Sequence, residues 1–145
     1  MGYFRSDKIA GNIVALIPQR IDTHGGGGGF YQQLCFCMDS FARRLGYLLF
    51  TCSVSEYEED NHILHPILNN VSYKGIITIG NLSREYCRRL SELGTRFVMA
   101  DQYYDDIIAD SINTANSSAG YLLTKYLIER GHKKIQYFGQ VRKTS

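Results

Sequence analysis

Short apolar runs alternate with amphipathic helical patterns along most of the chain, and a unit of strand followed by helix recurs three times. Strands are predicted at residues 12–18, 48–52, 75–79 and 96–101. The first is apolar at every position from Ile13 to Ile17, which suits a strand buried on both faces of a parallel sheet. Pro18 ends it, because proline cannot donate to a ladder. Continuous apolar strands alternating with helices imply an α/β fold built on a doubly wound parallel sheet. Ligands of such sheets sit outside the carboxyl ends of the strands, so the loops after Pro18, Cys52, Ile79 and Asp101 are where function is sought.

The helices carry their own signals. Tyr31, Leu34, Cys35, Met38, Phe41, Ala42 and Leu45 recur at helical spacing and predict one buried stripe, stopped at Gly46. Phe36 lies outside that stripe and either widens the core face or marks a subunit contact. Ser55 and Glu58 form the pattern of a capping box, and Pro66 predicts a kink or restart before Ile67, Leu68 and Val71. The turn at 80–83 opens a third helix with Tyr86, Cys87, Leu90 and Leu93, ended by Gly94. A fifth apolar segment covers 107–112. A helix over 117–130 turns Ala119, Leu122, Leu123, Tyr126 and Leu127 inward and stops at Gly131, before a last strand at 135–138. Residues 1–11 have little periodicity and read as a linker or tail.

Composition narrows the function classes. A chain of 145 residues with 44% apolar positions is an ordinary globular domain or a large piece of one. The net charge of +2 is spread over helix faces rather than gathered into a basic stripe, which argues against direct tracking of a phosphate backbone. No stretch approaches a membrane span, and the first residues lack the apolar core of a secretory signal, so a cytoplasmic location is expected. The four cysteines, Cys35, Cys37, Cys52 and Cys87, have no C-x-x-C spacing and read as reduced packing residues. His62 and His65 are three apart but have no carboxylate or thiol partner in view, so no metal is expected.

Five consecutive glycines, 25–29, follow the first strand in a loop running from Gln19 to Gly29. Free backbone amides beside a helix N-terminus can stabilise a phosphate. The loop is too long for a dinucleotide-binding turn, however, and no Gly-Lys-Ser/Thr follows, so it reads as a mouth loop and no cofactor is expected. Nor is there a nucleophile elbow or metal cluster to suggest an enzyme.

The later part of the chain resembles a known family. Asn113, Thr114, Ala115 and Asn116, then Gly120, Tyr121 and Leu122, then the run from Lys125 to Ile135 are similar to the signature stretch of lactose-repressor (LacI/GalR) regulators. In that family a V-x-x-D-N element precedes a helix ending L-I-x-x-G-H-x-x-I. Further pieces agree in order: Ile17 and Pro18, Phe30 and Tyr31, Arg44 to Tyr47, Lys74 to Ile77, Leu93 and Gly94, and Ala100 and Asp101. The resemblance covers about residues 12–139.

What it implies is a two-lobed effector-binding core of the periplasmic-binding-protein type. Residues 12–112 correspond to the N-terminal lobe and 113–145 to the start of a second. The DNA-reading helix-turn-helix is not in this chain, and the arginine that the family supplies from its second lobe is expected beyond Ser145. Carried over position by position, Phe30 and Tyr31 resemble the aromatic pair lining the cleft, and Asp101 the carboxylate that meets effector hydroxyls. Gln102 stands where the family often has Arg, and Asn116 matches the Asn of the D-N element, with Ala115 in place of the Asp. Aromatic faces with a carboxylate suit a polyol better than a nucleotide. The local alternatives are that Phe30 and Tyr31 begin a buried helix face, that Asp101 caps a turn, and that Asn116 is a helix N-cap.

The expected function is therefore the effector-sensing portion of a transcription regulator, not an enzyme, acting on a small effector, carbohydrate by chemistry, as a homodimer. The alternative is a periplasmic-type sugar-binding transport protein, which would require export.

Overall fold

A computed structural model of the chain describes residues 9–23 and 28–139. The chain divides into two compact units, Met1–Asn113 and Thr114–Ser145.

In the first unit five parallel strands form one sheet: β1 (Gly11–Pro18), β2 (Tyr47–Val54), β3 (Gly75–Ile79), β4 (Phe97–Ala100) and β5 (Asp110–Ile112). Their spatial order is β2-β1-β3-β4-β5. The chain therefore grows first to one side of β1 and then to the other, which leaves a switch point between the carboxyl ends of β1 and β3. β1 begins earlier than its apolar run suggests: Ala10 N–H donates to Gly46 O at 2.7 Å and Gly11 pairs with Tyr47, so this part of the expected linker belongs to the sheet. The rest of that linker, residues 1–8, lies outside the described residues.

Among the described residues, five helices connect the strands: α1 (Gln19–Thr23), α2 (Gly28–Arg44), α3 (Glu56–Asp60), α4 (Ile67–Asn70) and α5 (Arg84–Ser91). The expected long mouth loop is thus partly helical at both ends, while 24–27 lie outside the described residues. Ser55 accepts from Glu58 N–H and Glu58 reaches back to Ser55 N–H at 2.8 Å, completing the capping box. The helix breaks ahead of Pro66 and restarts as α4. Ser83 caps α5 by accepting from Tyr86 N–H.

Alternate residues of the strands build two cores. On one face Val14, Leu16, Val54, Ile76, Phe97 and Met99 pack with Leu68, Leu82, Tyr86, Cys87, Leu90 and Ile107. On the other, Ala15, Ile17 and Ile79 pack with Tyr31, Leu34, Cys35 and Met38 of α2. Two expected members of the α2 stripe are exposed. Phe41 stands one residue before buried Ala42, about 100° around the helix, and Arg44 lies over its ring at 5.2 Å. Leu45 falls beyond the helix end. Phe36 is 74% exposed and does not widen the core.

The second unit holds α6 (Asn116–Glu129). His132 N–H donates to Leu127 O and Gly131 N–H to Ile128 O, with Gly131 at φ 86°, which is the Schellman stop expected of that glycine. Two expectations fail here. Leu122 and Leu123 are 61% and 68% exposed, since no side chain of α6 is buried. Residues 135–138 form no strand, because among the described residues of this unit there is none to pair with, and a lone strand leaves its backbone groups unmet.

Candidate functional site

The carboxyl ends of β1, β3 and β4 bring together residues far apart in sequence. Tyr31, in the first turns of α2, donates its hydroxyl to Asp101 Oδ2 at 2.7 Å. Asp101 follows β4 directly, and its N–H donates to Ile112 O at 2.8 Å, which carries the β4–β5 ladder one residue further. Its φ is 59°, in the left-handed region that non-glycine residues seldom adopt and Asp tolerates better than most. Gly80 closes the floor at φ 74°, and a Cβ there would meet Ile21 Cδ1 at 2.5 Å and the Tyr31 ring at 3.5 Å. The backbone can approach the aromatic ring this closely only because the residue is glycine.

Phe30 joins this group from outside. Its ring meets that of Tyr31 edge-on, with centroids 5.1 Å apart, and it is 58% exposed. An exposed aromatic beside a ring whose hydroxyl reaches a carboxylate offers an apolar surface next to a hydrogen-bond acceptor.

Gln102 lies elsewhere. It is buried, its amide nitrogen donates to Leu82 O at 2.6 Å and Cys87 Sγ at 3.3 Å, and its carbonyl accepts from Leu82 N–H at 3.2 Å. Tyr104 donates to the same Leu82 carbonyl at 2.7 Å. The expectation of Gln102 in the cleft is therefore corrected: its polar atoms hold the loop ahead of α5. Burial pushes the Cys87 thiol, despite that hydrogen bond, and the Tyr86 phenol each up to about 12.

Asn116 belongs to the second unit. It is exposed and is the first residue of α6, its N–H donating to Thr114 O at 2.8 Å. Ala115 occupies the N-cap and makes no side-chain bond, so Asn116 is not the cap.

One polar cluster escaped the sequence. Arg20 of α1 forks onto Glu59 of α3, with Nη1 to Oε2 at 2.5 Å and Nη2 to Oε1 at 3.2 Å, and also donates to Asn81 O. Glu59 Oε1 further accepts from Ser83 N–H at 2.8 Å. The pair ties the segments after β1, β2 and β3 to one another. A buried carboxylate such as Glu59 needs such partners. Nothing local announces it, since the two residues are 39 positions apart.

Among the described residues no group of three His, Cys, Asp or Glu side chains could hold a metal, and no helix is long and apolar enough to cross a membrane. The family model described as periplasmic binding proteins and sugar binding domain of LacI family matches residues 10–145. The chain belongs to this family. A LacI-family relative, the HTH-type transcriptional repressor PurR of Vibrio atlanticus (strain LGP32), is 30% identical over 108 residues, covering 73% of this chain and 32% of that protein. The same repressor from Pasteurella multocida (strain Pm70) is 30% identical over 124 residues, covering 80% and 36%. The chain thus spans about one third of the length of these curated relatives. These relatives are transcriptional repressors.

Solved structures bear on the fold alone. The LacI family transcriptional regulator CCPA from Weissella paramesenteroides, solved with bound glucose, superposes with a TM-score of 0.60 at 14% identity, over 84% of this chain and 43% of that one. The transcription regulator GntR from Chromobacterium violaceum gives 0.55 at 21% identity, over 83% and 42%.

Proposed function

We propose that the chain is the ligand-sensing part of a transcription regulator and that its effector is a small polyol, a carbohydrate by chemical class. The observation that carries this reading is the Tyr31–Asp101 hydrogen bond of 2.7 Å at the carboxyl edge of the sheet, with Phe30 packed beside it. A carboxylate accepts from paired hydroxyls, and an aromatic face covers the apolar side of a sugar ring. Tyr31 keeps Asp101 aimed before the effector arrives. Asn116, in the second unit, is proposed as a further effector residue. Clamping between two lobes then favours one lobe angle, and that preference is transmitted to DNA by a helix-turn-helix of the kind the relatives' name records. Such a protein works where DNA is, in the cytoplasm.

Calorimetry with a panel of monosaccharides tests the site, on this chain and on a form extended to the length of the curated relatives. The extended form should bind one of them, the chain alone at least tenfold more weakly, and Asp101→Asn should weaken the extended form by roughly tenfold or more. Binding indifferent to Asp101→Asn would end the reading.

The regulator is further proposed to be a homodimer through the outer face of α2. Phe36 is 74% exposed there and packs against neither core of the sheet. Phe36→Asp should leave the circular dichroism spectrum intact and halve the mass measured by light scattering; an unchanged mass would remove this face from the interface.

A further inference from the structure

Every residue of the 80–83 turn after β3 is fastened to another element. Gly80 N–H donates to Ala100 O at 3.0 Å, the Gln102 amide holds both backbone groups of Leu82, and Ser83 N–H donates to Glu59 Oε1 at 2.8 Å. The carbonyl of Asn81 accepts from Arg20. Both members of the Tyr31–Asp101 pair rest on this turn. The Tyr31 ring lies 3.5 Å from the point that a Gly80 Cβ would occupy. Asp101 sits between Ala100 and Gln102, so the residues on either side of it are both bonded to the turn. Arg20 and Ile21 are neighbours in α1: one bonds Asn81 O while the other covers Gly80, and together they clasp the floor of the site. A helix of five residues has little stability of its own, so the place of α1 depends on such tertiary ties. The fork onto buried Glu59 of α3 supplies one, since a charge-assisted pair with two bonds fixes the guanidinium in direction as well as in distance.

We propose that Arg20, anchored on Glu59, is a positioning residue of the effector site: by fixing the 80–83 turn it holds Tyr31 and Asp101 in hydrogen-bonded register before the ligand arrives. That role rests on the pair being the effector site, yet the geometry it controls exists without any ligand. Groups held in place beforehand lose less freedom on binding, so loss of Arg20 lowers affinity while both members of the pair remain.

The Tyr31 phenol reports this geometry directly. In the chain labelled with ¹³C at the tyrosine ζ carbon, the Tyr31 resonance is identified by its loss in Tyr31→Phe. Asp101→Gly, which suits the φ of 59°, gives the position of that resonance without its acceptor. Arg20→Met combined with Glu59→Gln leaves no charge buried unpaired and keeps an acceptor for Ser83 N–H. This double variant should move the resonance at least halfway to its Asp101→Gly position, whereas Glu59→Gln alone, which retains Arg20, should leave it close to the parent. Leu68→Ala, a truncation in the opposite core, controls for loss of stability and should not move it. If the double variant does not fold, Arg20→Lys, which keeps the charge without the fork, should move the resonance in the same direction. In the form extended to the length of the curated relatives, the double variant should bind the monosaccharide selected by the panel about fivefold more weakly than Glu59→Gln does. A Tyr31 resonance indifferent to Arg20, one moved as far by Leu68→Ala, or monosaccharide binding unchanged in the double variant would overturn the proposal. A resonance that responds to Arg20 in a protein that binds no monosaccharide would keep the positioning role and remove the carbohydrate, so the two readings fail separately.

Discussion

The two faces of the sheet are finished to different standards. The face under α4 and α5 is closed: Val14, Leu16, Leu82, Tyr86, Cys87, Leu90 and Met99 are all fully buried. Its one buried amide side chain, Gln102, has both ends hydrogen-bonded, although the fully buried Thr78 hydroxyl on the same face, like Ser53 on the other, has no partner among the described residues. The face under α2 is half open. Tyr31, Leu34, Cys35 and Met38 remain partly accessible, Ser53 Oγ lacks a partner among the described residues, and a cavity lies between helix and sheet. Packing to full density stabilises a fold, whereas incomplete packing leaves room for ligands and for a partner surface. The closed face therefore holds the platform still, and the open face is where this unit can respond.

Truncating one large side chain on each face gives the strongest test of that contrast. Tyr86 is fully buried and its hydroxyl accepts from His65 N–H at 3.0 Å, so Tyr86→Ala removes both a ring and the partner of a backbone amide. A loss of about 3–5 kcal/mol is expected from urea unfolding. Leu34→Ala removes a half-buried side chain beside an existing cavity and should cost about 1–2 kcal/mol. Equal losses would mean that the faces are packed alike.

The same contrast governs what could be read from the sequence. Features set by neighbours along the chain were legible: the Ser55 capping box, the break ahead of Pro66, the Gly131 stop and the buried run of β1. The Tyr31 and Asp101 positions came from family resemblance, and the structure joins them by a hydrogen bond. Gln102 was misjudged for a geometric reason. Along β4, Phe97 and Met99 face α5 while Val98 and Ala100 face the α2 side, so strict alternation would send Asp101 toward α5 and Gln102 toward α2. The φ of 59° at Asp101 breaks the period and exchanges the two: Asp101 meets Tyr31, and Gln102 turns in against Cys87. Arg20 with Glu59 was illegible for another reason, because an ion pair closed by tertiary folding leaves no periodic trace. Phe41 and Leu45 show the limit of a helical stripe, whose width is set by the sheet it meets rather than by its own spacing.

A smaller effect sharpens the comparison through pH. Burial raises the Cys87 thiol from an ordinary 9.0 and the Tyr86 phenol from 10.0, each to about 12. Between those limits the folded chain keeps protons that the unfolded chain has released. Their contribution is complete below pH 9 and is lost as the pH rises toward 12. Urea midpoints should hold steady up to about pH 9 and then fall, with a slope of at most about 1.4 kcal/mol per pH unit for each group. Cys87→Ala should delay the onset to near pH 10, where the Tyr86 phenol begins to count, and adding Tyr86→Phe should flatten what remains. A parent profile already flat to pH 11 would mean that water reaches both groups, and the face described as closed would then be as open as the one beneath α2.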